Sequence, residues 1–104
     1  MYGLIAKLTI HPGKRDEMTG ILKESAANMP GCMNYFIAED ATDESVFWVT
    51  EVWASRASHD ASFSLPQVKR ALPLAKALVA RFEKVAETLP LFEWACLTRP
   101  PIQK

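Results

Sequence analysis

Between Tyr2 and Ile10 the side-chain character alternates: Tyr2, Leu4, Ala6, Leu8 and Ile10 fall on one side, Gly3, Ile5, Lys7 and Thr9 on the other. A period of two is that of a β-strand, so the segment predicts a strand with one thoroughly apolar face. His11-Pro12-Gly13 stops it, because proline cannot donate to a ladder and glycine permits a sharp change of direction. His11 itself reads as a solvated turn residue. From Lys14 to Met29 the period lengthens. Met18, Ile21, Leu22, Ser25, Ala26 and Met29 recur at three and four, with Lys14, Arg15, Asp16, Glu17, Lys23 and Glu24 mainly opposite. This predicts an amphipathic helix over 14–29, ended by Pro30-Gly31.

Cys32 to Glu39 carries aromatic and small apolar residues on both parities, and a polar loop over 40–44 separates it from a second strand-like run, Ser45 to Trp53. The two predict a hairpin. The run Val46 to Trp53 is apolar on both faces apart from Thr50 and Glu51, as an interior strand covered on each side would be: by helices on one face and by a second subunit on the other. Ser55 is placed to cap a short helix over 56–63, and Pro66 can open a further one. From Pro66 to Leu89 two periods compete. Leu74, Leu78, Phe82, Val85 and Leu89 keep helical spacing, interrupted by Pro73, while Phe82, Lys84, Ala86 and Thr88 alternate with Glu83, Val85, Glu87 and Leu89. We take the second reading and expect a strand over 82–89. It completes a βαββαβ order, the ferredoxin-like α+β arrangement of an antiparallel sheet with helices on one face. After Pro90, the tail 91–104 holds Leu91, Phe92 and Trp94, too apolar for solvent, and is expected to lie along a surface such as a partner's.

With 104 residues, 49% apolar and 23% charged, the chain has the composition of one globular domain. A domain of this size buries only about two-thirds of its unfolded surface, so three tryptophans, five phenylalanines and two tyrosines exceed what a small core hides. Some of them should face a partner or ligand. Twelve basic residues oppose twelve acidic ones, leaving no field of one sign to gather phosphates or anionic lipid, so neither nucleic acid nor membrane is expected as a partner. No stretch approaches about 18 unbroken apolar residues, and the apolar run at the start precedes its basic residues, the reverse of a secretory signal. A cytoplasmic location is expected. Cys32 and Cys96 form neither a disulfide framework nor a C-x-x-C motif and read as small apolar fillers.

No nucleotide-binding glycine loop, helical zinc motif, nucleophile elbow or recognisable carboxylate pair is present. What stands out is polar residues in apolar contexts: Asn34, Glu51, His59 and Ser62. Residues 59 and 62 project from one helical face, which can sit above a sheet carrying Trp48 or Trp53 and so enclose an apolar pocket with few polar handles. Plainer roles exist for each. His59 could be a packing histidine, Asn34 could bond the hairpin backbone, and Trp48 and Trp53 could be core. For Glu51 the preferred role is pairing with a cation across strands or at a subunit boundary.

The segments LIAKLTIHPGK, PGCMNYFIAED and FWVTEVWASRASHDASFSLPQV, followed by a helical stretch and a final strand, resemble the antibiotic biosynthesis monooxygenase domain family, including its quinol monooxygenases. The resemblance covers about residues 2–90, one domain, and its most specific piece is EVWASRASHDASFSLPQV. It implies a homodimeric α+β barrel, two ferredoxin-like subunits packed sheet against sheet, each with a pocket between its own sheet and helices. It also implies oxygenation of an electron-rich aromatic (a quinol, an anthrone or a related polyketide) without flavin, haem or metal. Removal of a phenolic proton gives an anion able to reduce dioxygen, so the protein need only bind the ring, stabilise the oxyanion and carry one proton. On this reading His59 carries the proton and Asn34 contacts the oxyanion. Trp53, Phe63 and Trp48 wall the substrate, with Ser62 beside them where some relatives carry a second histidine. Haem-degrading members of the fold use an asparagine, a tryptophan and a haem-ligating histidine where this chain has Ala6, Ser62 and Leu72, so haem oxygenation ranks low. Two other readings of the same barrel are a non-catalytic binding or stress-response dimer that sequesters a hydrophobic metabolite, and an isomerase or lyase.

Overall fold

The alternation at the start of the chain becomes strand β1 (Tyr2–Ile10) in a computed structural model that describes residues 1–93. Helix α1 (Arg15–Ser25) leads to the hairpin of β2 (Cys32–Glu39) and β3 (Val46–Trp53). Then come α2 (Arg56–Ala61), a single 3-10 turn (Ser62–Ser64), α3 (Pro66–Leu78) and β4 (Val79–Thr88). The sheet is antiparallel throughout in the order β2-β3-β1-β4, the expected ferredoxin-like α+β arrangement.

Register decides which side chains share a face, because residues directly opposite one another in an antiparallel pair point the same way. Tyr2 pairs with Trp53, Leu4 with Glu51, Ala6 with Val49 and Leu8 with Phe47. Tyr35 joins Glu51, and Ile37 joins Val49, from β2. These residues form the helix-covered face. The other face carries Gly3, Ile5 and Lys7 opposite Val52, Thr50 and Trp48, flanked by Asn34, Phe36 and Ala38.

Two clusters fill the interface between sheet and helices. Ile10, Met18, Phe47 and Leu78 form one, with Met18 wholly buried and Ile21, Leu22 and Ile37 packed around it. Tyr2, Leu4 and Trp53 form the other, joined by Met29 and by Cys32, which acts as the filler its composition predicted. Cys96 lies outside the described residues.

Three boundaries differ from expectation. Helix α1 ends at Ser25 rather than Met29, because after the Ala26 N–H to Leu22 carbonyl bond the chain turns through Asn28, whose φ of 53° is left-handed. The short helix tightens into its 3-10 turn at Ser62. Strand β4 starts at Val79, three residues early, with Val79 already extended and paired to Ile10. The helical spacing of Phe82, Val85 and Leu89 is fortuitous: the first two are exposed on an edge strand, and Leu89, just past its end, is exposed too. His11 is a solvated turn residue, as expected.

The tail begins by crossing the outer face of its own sheet. A side chain at Gly3 would run into Thr88 and Pro90, and the Asn34 amide Nδ2 donates to Glu93 Oε2 at 3.0 Å, so residues 90–93 pass from β4 over β1 toward β2. The rest of the tail, 94–104, lies outside the described residues.

Candidate functional site

Ser55 begins the local structure that places the histidine. Its hydroxyl accepts from the Ser58 N–H at 3.1 Å, capping a free donor of the first turn of α2. Gly31 lets that helix lie close to β2: its φ is 83°, and a Cβ there would stand 2.6 Å from the Ser58 side chain. His59 therefore reaches down between sheet and helices, where its side chain is 14% exposed.

Three rings surround the imidazole. Tyr2 lies 5.3 Å away centroid to centroid, Trp53 5.6 Å and Phe63 5.4 Å, the last two edge-on. The His59 Nδ1 stands 2.9 Å from Asp60 Oδ1. An ionised carboxylate only accepts, so Nδ1 carries the hydrogen and Nε2 is the nitrogen left to take a proton. Tyr2 is itself held. Its hydroxyl donates to Glu87 Oε2 at 2.6 Å, and Arg56 and Lys84 approach the same carboxylate, which these donors hold below its ordinary range.

His59 and Trp53 border a cavity of about 130 Å³ between the sheet and the three helices. Tyr35, Glu51 and Trp53 line it from the strands. Ile21, Leu22 and Ser25 line it from α1, Ser62 and Phe63 from the 3-10 turn, and Val68, Leu72 and Ala75 from α3. Glu51 is the acidic group among them. Its Oε1 accepts from the Trp53 indole N–H at 2.8 Å, and burial pushes its carboxyl above the usual range, against the pull of the Trp53 bond and of His59. The Tyr35 hydroxyl is raised above its ordinary value chiefly by burial, then by the neighbouring Glu51, so it remains a donor.

Four of the six sequence-derived site residues thus meet: His59, Trp53, Phe63 and Ser62. Ser62 is buried but turns its hydroxyl to the His59 carbonyl at 2.6 Å. The other two do not join them, and this corrects the expected arrangement. Asn34 lies on the outer face with Val52, bonded to Glu93, so it cannot reach an oxyanion in the cavity. Trp48 lies on the same outer face, its N–H on Asp40 Oδ1 at 2.8 Å and the Lys7 ammonium 5.6 Å from its ring. Glu51 is also corrected. Among the described residues it makes no ion pair across strands, and it faces the cavity instead. Tyr35 and Glu51 are the cavity residues whose roles the sequence did not disclose. Glu51 was within reach of pattern, since it stands two residues before Trp53 and a strand period of two puts both on one face.

The fold and its cavity define a ferredoxin-like α+β domain with an aromatic pocket under its helices. The chain belongs to the antibiotic biosynthesis monooxygenase family, whose profile matches residues 1–74. It is similar to the structure of a candidate antibiotic biosynthesis monooxygenase from Chloroflexus aurantiacus J-10-fl, with 44% identity, 90% of this chain and 96% of that chain covered, and a TM-score of 0.87. A candidate antibiotic biosynthesis monooxygenase from Nitrosomonas europaea shares the fold at 18% identity, TM-score 0.80, over 88% of this chain and all (100%) of that one. PA3566 from Pseudomonas aeruginosa does so at 22% identity, TM-score 0.76, over 88% and 94%. An uncharacterised Synechocystis protein, sll1783, is 30% identical over 92 residues, 81% of this chain, which spans 63% of that protein's length. No helix among the described residues is long and apolar enough to cross a membrane.

Proposed function

We infer that the chain is a small monooxygenase that oxidises an electron-rich hydroxyaromatic with dioxygen, using no bound cofactor. The observation that carries this reading is an imidazole caged by three aromatic rings at the edge of a ring-sized cavity, with Nε2 as its proton-accepting nitrogen. In the reaction, the substrate hydroxyl gives its proton to His59 and the resulting electron-rich anion reduces dioxygen. One oxygen atom bonds to the ring, and the other leaves as water with two hydrogens and two electrons drawn from the substrate. Trp53 and Phe63 hold the ring. With Asn34 outside the cavity, the Tyr35 hydroxyl takes over as the donor to the developing oxyanion. Leu72 presents an apolar wall where haem-degrading relatives have their ligand, in keeping with a reading that excludes haem.

The acting unit in this reading is a homodimer. The outer face of the sheet leaves Phe36 62% exposed beside half-buried Ile5, Trp48 and Val52, apolar area that a second copy would cover to close the barrel. Mass in solution tests this, and a monomer at micromolar concentration would refute it.

Oxygen uptake on a panel of quinols, against heat-treated protein, tests the activity. His59→Ala should lower uptake by about 10²-fold or more, as expected for loss of a general base, and unchanged turnover would remove His59 from that role. The displacement of Asn34 favours a second reading, a dimer that sequesters a hydrophobic metabolite without converting it. Binding without uptake across the panel would establish that reading in place of the first.

A further inference from the structure

We propose that the free edge of β2 is a docking surface for the chain's own residues 94–99, which add to the sheet as a fifth strand. The two edges of the sheet are finished differently. Edge strand β4 carries Arg81, Glu83, Lys84 and Glu87 and breaks its pairing with β1 at two places, and both devices keep another chain from adding to an edge. Edge strand β2 has no lysine, proline or glycine, a single charge at its last residue, Glu39, and one irregularity of pairing, at its start. From Asn34 to Glu39 it is regular and unguarded.

The backbone of that edge is open. The Asp40 N–H donates to the Val46 carbonyl at 2.9 Å, so 40 and 46 are a hydrogen-bonded pair, and alternation turns the N–H and C=O of Ala38 and Phe36 toward β3 as well. Tyr35, Ile37 and Glu39 therefore point theirs away from the sheet, on the side where the order β2-β3-β1-β4 places no strand. Beside them runs a groove of about 370 Å³ between α1 and β2, lined chiefly by Leu22, Ala26, Tyr35, Ile37 and Phe47. Leu22 and Tyr35 also line the cavity beside His59, so an occupant of the edge stands one side chain away from that cavity.

The occupant follows from where the described residues end. Residues 90–93 cross the outer face of the sheet, and Glu93 is bonded to Asn34 at 3.0 Å, at the start of this edge. Trp94 to Arg99 follow before Pro100-Pro101, which lack the N–H that a ladder needs. At about 3.3 Å per residue, 94–99 and the run from Asn34 to Glu39 both span about 17 Å. Continuing from Asn34, the segment runs parallel to β2. Both of its parities are apolar, Trp94 with Cys96 and Ala95 with Leu97, so either alternation turns apolar side chains to the groove. Arg99 then comes level with Glu39 and Asp40, the acidic end of the strand. Tethered at residue 93, the segment has an effective concentration on the order of millimolar at the edge, above that of a free partner at micromolar concentration.

Disulfide trapping in the full-length chain tests the proposal, with Cys32→Ser leaving Cys96 as the native thiol. Phe36→Cys and Ile37→Cys are made separately, because 36 and 37 face opposite sides of the sheet and both stand level with Cys96 when Trp94 lies beside Asn34. Neighbouring strands are about 4.8 Å apart, within reach of a disulfide. Mild oxidation at micromolar concentration should close a bridge in most molecules of one of the two variants, at the mass of a single chain. A bridge at the mass of two chains assigns the segment to a second copy and overturns the proposal, as does no bridge in either variant. Hydrogen exchange needs no new cysteine. In Cys96→Pro/Leu97→Pro, which removes one N–H from each parity, the amides of Tyr35, Ile37 and Glu39 should exchange about tenfold or more faster than in the native chain, while those of β4 keep their rates. Unchanged exchange at these three amides overturns it.

Discussion

The two ends of the helix–sheet interface are built from the same kinds of element yet finished differently. At one end Met18, Phe47, Ile10 and Leu78 close on one another without a polar side chain. At the other, Tyr2 and Trp53 are as deeply buried, but each turns a polar atom to a carboxylate, Tyr2 to Glu87 and Trp53 to Glu51, and a histidine and an open space stand between them. Burying apolar area alone would favour closing both ends alike. The end into which ionisable groups are drawn is where desolvation is tolerated, and that is a mark of a site rather than of a core.

The contrast breaks most forcefully at the closed end. Phe47→Ala should cost about 3–5 kcal/mol in chemical denaturation, by lost transfer energy and the void it leaves, while whatever folds keeps its affinity for a ligand of the other cavity. Next in size is Gly31→Ala, which combines a left-handed backbone with a Cβ pressed on Ser58. It should cost about 1–3 kcal/mol and displace α2, lowering activity in the folded fraction as well. Ser55→Ala removes a helix cap alone. About 1 kcal/mol should be lost, and a rise in KM larger than at a surface control would show that the cap serves to place His59.

Two smaller effects depend on pH. The Glu51 carboxyl is raised in the folded chain, so folding favours its protonated form. That contribution is full below the unfolded value and is lost as pH rises through the folded one. Glu51→Gln should therefore raise Tm at pH 7 and leave it nearly unchanged at pH 4. A lower Tm at pH 7 would show that the charge stabilises the fold. Asp40, in the β2–β3 loop, has the opposite sign. The indole N–H of Trp48 and the Thr42 and Asp43 groups hold it to about 2, so its contribution is present above the ordinary carboxylate range and fades as pH falls toward 2. Amide exchange over 40–45 should quicken in that window for the native chain and not for Asp40→Asn.

Much of the architecture was legible because periods of two and of three to four were clean where one face alone is buried, as in β1 and α1. Where both parities are apolar the pattern carries no face information. Asn34 sits in such a strand, just after an irregularity in the pairing of β2, and its placement could not be read from alternation. Trp48 was legible in principle: it stands five residues from Trp53, an odd interval that puts the two on opposite faces of a regular strand. The start of β4 was hidden because α3 passes into it with no intervening loop, Leu78 ending one and Val79 beginning the other. Tyr35 acquires meaning only once the register sets it opposite Glu51 under α2 and α3.

The most direct measurement of the central claim is mass analysis of the product formed from hydroquinone under oxygen-18 gas. The account predicts one labelled oxygen atom on the ring, uptake of one dioxygen per substrate, and loss of both in His59→Ala. Uptake no greater than with heat-treated protein, or a product free of label, would contradict it.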